Sequence, residues 1–151
     1  MIDWLKRNAA AIEAVAATLT ALVAVLALVG IKLQLDAADR LQRAQSARDA
    51  FRAHLVLSVE HPAYAYPADA CALLISAEGP AYGAFVEHLL YSAEQMLSVD
   101  PDWGRVFAGQ LEPHAAYLCS FDDLSDYEPA LVAVLTRVQA EHCPTTPACG
   151  T

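Results

Sequence analysis

His114 and Cys119, followed by His142, Cys143 and Cys149, are the residues whose types could hold a metal ion. Structural zinc sites bring such ligands together as closely spaced pairs on one turn. Here Cys143 and Cys149 stand six apart, and His114 and Cys119 belong to an earlier segment. The match is poor, so the expectation is core or capping histidines, reduced cysteines and no metal or other cofactor. In an oxidising compartment the same four cysteines, Cys71, Cys119, Cys143 and Cys149, would instead form two disulfides, with three possible connectivities. A nucleophile and base could be drawn from Cys119 or Ser120 with His114 or His88, yet no surrounding pattern positions them, so no enzyme is expected. The acidic run Phe121-Asp122-Asp123-Leu124-Ser125-Asp126 lacks the glycine and closing glutamate of a calcium loop and reads as the entry to a helix.

Charge is divided unevenly along the chain that must carry these residues. Seven of the nine basic side chains lie in the first 52 positions, against five acids. Residues 53 to 151 hold two basic and thirteen acidic residues, a net of −11. A surface that acidic repels phosphate backbones, so nucleic acid is not an expected partner.

The hydrophobic fraction of 56% is concentrated in one place. Residues 9–31 read AAAIEAVAATLTALVAVLALVGI, with Glu13 the one charge. About 20 such residues cross the roughly 30 Å of a bilayer's hydrocarbon as a helix. Trp4, Lys6 and Arg7 suit one headgroup boundary, and Lys32 the other. A buried core helix is one rival reading, but the stretch is long for so small a domain; a cleaved signal peptide is the better rival, but the run is long for one, and Asp3 and Glu13 do not suit it. Lys32, Arg40, Arg43 and Arg48 follow the segment while Lys6, Arg7 and the α-amine precede it, which gives a modest preference for a cytoplasmic C-terminal domain. Ala10, Ala14, Ala17, Ala21 and Ala24 recur at alternating spacings of four and three, a small-residue stripe against which another membrane helix or a second copy can pack closely. Glu13 beside that stripe reads as a carboxylate at headgroup depth.

No proline interrupts the chain between the apolar run and Pro62, so residues 32–60 are predicted to continue the same helix as a stalk. Leu33, Ala37, Leu41, Ala44, Ala47, Phe51 and Leu55 mark its apolar face. Asp36 with Arg40, and Asp39 with Arg43, are acid-to-base pairs at i, i+4. Residues 61–143 then read as an acidic helical domain and 144–151 as a polar tail, with 1–8 a short N-terminal flank.

Within the domain, residues 60–70 form a connection. A helix after Pro80 buries Tyr82, Phe85, Val86, Leu89, Leu90, Ala93, Met96 and Leu97. Asp100 and Pro101 open a second helix, with Trp103, Val106, Phe107 and Leu111 inward. Pro113 starts a short turn of helix through Leu118. Ser125 or Asp126 caps a last helix, with Leu131, Val134, Leu135 and Val138 buried. The expected architecture is all-α: a transmembrane helix running into a long stalk, with a small helical domain packed on its distal half.

The order Tyr82, Phe85, Val86, then Leu89, Leu90 and Glu94, then Trp103, then His114, Tyr117, Leu118 and Ser120, then Tyr127 and Leu131, together with the apolar segment and Gln34-Leu35, resembles short bacterial single-pass membrane-anchored proteins of unknown function. The resemblance implies a helical fold and a bacterial inner (cytoplasmic) membrane, and it brings no activity or ligand with it. The expected function is that of a non-enzymatic interaction protein, an accessory or scaffolding subunit of a larger membrane complex. The alternative is a membrane-tethered sensor or regulator binding a small ligand or metal through its helical domain.

Overall fold

The computed structural model describes the backbone of residues 2–150 and the side chains of residues 8–150. The expected headgroup contacts of Trp4, Lys6 and Arg7 therefore lie outside the described side chains. Helix α1 runs unbroken over Ile2–Glu60, as the absence of proline before Pro62 permits. It is followed by α2 (Pro62–Ala65), α3 (Ala70–Leu74) and α4 (Gly79–Val99). A 3₁₀ turn over Pro101–Trp103 leads into α5 (Gly104–Leu111), and a second over Glu112–His114 leads into α6 (Ala115–Leu118). The last helix is α7 (Pro129–His142), and there is no strand among the described residues.

The chain divides into two compact units, Met1–Gln42 and Arg43–Thr151. In the first, the described helix carries a window long and apolar enough to cross a membrane, none of it buried in protein. Asp36 there pairs back to Lys32 at 3.6 Å rather than forward to Arg40. This is a solvated contact of little energetic weight.

The second unit begins inside the predicted stalk, because α1 from Arg43 onward belongs to the domain. Ala47 and His54 are buried, with Ala50, Phe51, Leu57 and Ser58 half-buried on the same face. Phe51 meets Trp103 and Phe107 edge-on at centroid distances of 5.3 and 5.4 Å. Leu55, expected inward, is 41% exposed, as is Val106 at 45%. The α4 and α7 stripes are buried at every predicted position. Ser92 Oγ of α4 lies 3.2 Å from the Ala50 carbonyl of α1 and 2.7 Å from its own helix's His88 carbonyl, the two sharing its one proton, and Gln139 of α7 donates to the carbonyls of Leu118 and Phe121 at 2.8 and 3.2 Å.

Asp69 and Asp100 accept backbone N–H bonds from Ala72 and Asp102 at the starts of α3 and the first 3₁₀ turn. Helix α7 departs from expectation: neither Ser125 nor Asp126 caps it. The Asp123 carboxylate instead accepts from the Ser125 N–H and hydroxyl, ordering the acidic loop, and Glu128 precedes Pro129 while donating its N–H to Glu94 at 2.9 Å. Gly79 starts α4 where a Cβ would run into the carbonyl oxygen of Leu74, so only glycine lets α3 and α4 approach so closely.

All four cysteines are paired, Cys71 with Cys149 and Cys119 with Cys143, which replaces the expectation of reduced thiols. The polar tail is consequently not free. Cys149 is tied to α3, and its N–H donates to the Ala116 carbonyl at 3.1 Å.

Candidate functional site

The stripe predicted for helix packing, Ala10, Ala14, Ala17, Ala21 and Ala24, is exposed along α1. Its four-and-three spacing continues through Leu28, Ile31, Leu35 and Ala38, also exposed. That is a period of 3.5 residues, the repeat that keeps one seam facing a partner helix as two helices supercoil.

Of the residues considered for metal or nucleophilic chemistry, Cys119 and Cys143 are brought together, but as a disulfide. Cys119, Cys143 and Cys149 are consumed in disulfides, and His142 sits half-buried at the end of α7. Ser120 donates its hydroxyl to the Tyr117 carbonyl at 2.6 Å. No cluster of three metal-ligating side chains occurs among the described residues.

The domain instead builds a polar group in which His114 and His88, both candidate bases by sequence, stand with the unforeseen His54. His54 of α1 is 3% exposed, with its ring 4.8 Å from Phe85 and 5.8 Å from the nearly parallel ring of His88. His114, at the end of the second 3₁₀ turn, is 1% exposed, and its Nδ1 lies 2.8 Å from the buried Tyr82 hydroxyl. Both histidines line a cavity of about 70 Å³, bounded also by Ser58, Phe85 and Gln110, with exposed Tyr66 at its edge.

The hydrogen-bond polarity in this group can be assigned. Ser58 Oγ donates to the His54 carbonyl at 2.9 Å, which commits its one proton. At 3.3 Å from His54 Nε2 it is therefore the acceptor, Nε2 carries the ring proton, and Nδ1 is a buried lone pair with no partner. This is the reverse of the polarity by which a histidine activates a serine. In the second pair the Tyr82 hydroxyl donates to His114 Nδ1, leaving the ring proton on Nε2.

Burial, and then the neighbouring His88, lowers the His54 pKa to about 4. Burial, and then His54, lowers that of His114 to about 4. Both rings are uncharged at neutral pH. Burial also pushes the Tyr82 phenol up, so it stays a donor. The arrangement can hold a polar guest by hydrogen bonds but offers it no charge. The one sequence signal for the site is the His54–Ser58 spacing of one helical turn. No family profile, curated protein or solved structure matches the chain.

Proposed function

We propose that this chain is a single-pass membrane protein that works by association: the apolar part of α1 crosses a bacterial cytoplasmic membrane, and its seam packs against a second copy or another subunit's helix. The observation that carries this reading is the 3.5-residue register that starts at Ala10 and persists, exposed, as far as Ala38. Small side chains let helices approach within the lipid, while Leu28, Ile31 and Leu35 add apolar surface toward and beyond the end of the span. Replacing Ala17 and Ala21 together by Leu is expected to abolish cross-linked oligomers or partner recovery in mild detergent. Val15→Leu, off the seam, leaves them intact. A protein that is monomeric with and without the seam substitutions counts against association.

The disulfides bear on which side the domain occupies. Bridges persist where the compartment is oxidising, and this pairing supports a domain outside the cytoplasm, opposite to the side that the flanking basic residues modestly favour. A phosphatase reporter that folds only outside the cytoplasm, fused after Thr151, should be active. A fluorescent reporter that folds only inside should be dark, and the reverse pattern defeats the assignment.

A second reading, a tethered sensor, is favoured by one specific observation: a small cavity in the helical domain lined by the buried His54 and His114 together with Ser58 and Gln110.

A further inference from the structure

We infer that the uncovered face of α1 within the domain, formed by Gln45, Asp49, Arg52, Val56 and Val59, is the surface on which a second copy of this chain docks, parallel and in register, outside the membrane. This rests on the association reading and names the partner for it.

The face is defined by what the domain leaves bare. Within Arg43–Thr151, α1 sends Ala47, Phe51 and His54 into the core, with Ala50, Leu57 and Ser58 beside them. At 3.6 residues per turn, Gln45, Asp49, Arg52, Val56 and Val59 fall on the far side of the same helix, and all five are exposed. Val56 is 56% and Val59 81% exposed, so two β-branched side chains stand in water with nothing from the domain to cover them. Their intervals of four, three, four and three are those of the apolar seam, which counted along the sequence passes from Ala38 through Gln42 to Gln45. A repeat of 3.5 residues is the one that keeps a helix face turned toward a second helix.

A second copy fits this face for two reasons. Anchors of the same chain enter one membrane in the same direction, so their helices run parallel and each position of the repeat meets its own counterpart. Val56 then packs on Val56, at the position where a β-branched residue favours two strands over three or four. Charge supplies the second reason. Asp49 and Arg52 are an acid and a base one turn apart, 3.2 Å from each other and both solvated. In a parallel pair, two carboxylates form one layer and two guanidiniums the next, so Asp49 also meets Arg52 of the partner subunit and the surface complements itself. The contact spans only about four turns, and confinement of both anchors to one membrane supplies the effective concentration that so short a surface needs.

The test uses the full chain in the membranes of the cells that express it, with a benzophenone amino acid placed at Val56, at Val59 or, as a control away from α1, at Ile75, which is 89% exposed. Irradiation should give a band of twice the chain mass from Val56 and Val59 and none from Ile75. Asp49→Arg or Arg52→Asp alone should weaken that band by roughly tenfold, because each gathers like charges in one place. Co-expression of the two variants under different tags should restore cross-linking between unlike tags, since two arginines then face two aspartates. Absence of the doubled band, while Ala17→Leu with Ala21→Leu still abolishes oligomers, sinks this inference and leaves the association reading standing. Loss of both signals sinks both. A band of some other mass means that a different protein covers the face, and the second copy is wrong. A doubled band that ignores both charge reversals, or that Ile75 gives equally, puts the contact elsewhere and overturns the assignment.

Discussion

A buried neutral imidazole makes the fold sensitive to acid, and the direction follows from where the proton binds first. His54 and His114 titrate near pH 4 in the folded domain and near 6.5 once exposed. Between those values the unfolded chain takes up the extra protons. Stability is therefore complete above about pH 6.5 and is lost as pH falls toward 4, by up to about 3 kcal/mol per ring. Chemical denaturation at pH 7 and pH 4.5 should show this loss, and His114→Asn, which removes one titrating ring, should remove about half of it. A midpoint independent of pH across that window would contradict the neutral-ring assignment. His54 was not legible as a site in the sequence, and His114 stood out only as a candidate metal ligand or base beside Cys119 and Ser120. Stepping from Phe51 to Leu55 suggests the wrong inward residue, whereas the helix turns His54 in and Leu55 out, and an isolated histidine carries no apolar signal to reveal this. The cysteine partners were equally hidden, because pairing is fixed by which helix ends meet in space.

Helices long enough to show a period announced themselves. Every expected buried position of α4 and α7 is buried, since a stripe repeated over several turns leaves only one face for the core. The short helices α2, α3 and α6 have no such stripe: the Asp69 cap and the Cys71 bridge hold α3, the Cys119 bridge adjoins the end of α6, and α2 is held through Tyr64, which donates to Glu78. Loop closure in the unfolded chain makes Cys119–Cys143, spanning 24 residues, worth about 3 kcal/mol, and Cys71–Cys149, spanning 78, worth about 4 kcal/mol. Replacing each pair by serine should lower the denaturant midpoint in that order, and equal or negligible losses would show that the bridges add little constraint. Gly79→Ala should cost about 1–3 kcal/mol, because the added methyl must push α3 and α4 apart at the Leu74 carbonyl. A variant as stable as the parent would mean that this approach is readily relaxed.

At the scale of the whole chain, the all-α architecture and the long N-terminal helix were legible because a continuous apolar run followed by an unbroken helical pattern allows little else. The boundary between units was not, since helix geometry alone does not say where a rod acquires neighbours. Arg43–Thr151 has its own core and both bridges, so that fragment, secreted into an oxidising compartment, should be soluble without detergent and keep the same acid sensitivity. Aggregation of the fragment would show that the preceding helix is needed for folding. The two bridges are also nested, with 119–143 inside 71–149, while α1 lies outside both rings. One protease cut in the acidic stretch 121–128 would then leave a single band on a gel until reductant is added. One cut in the link between α2 and α3 would sever the ringed portion from α1 at once, leaving only noncovalent contacts such as those of Ala47, Phe51 and His54 to delay its release.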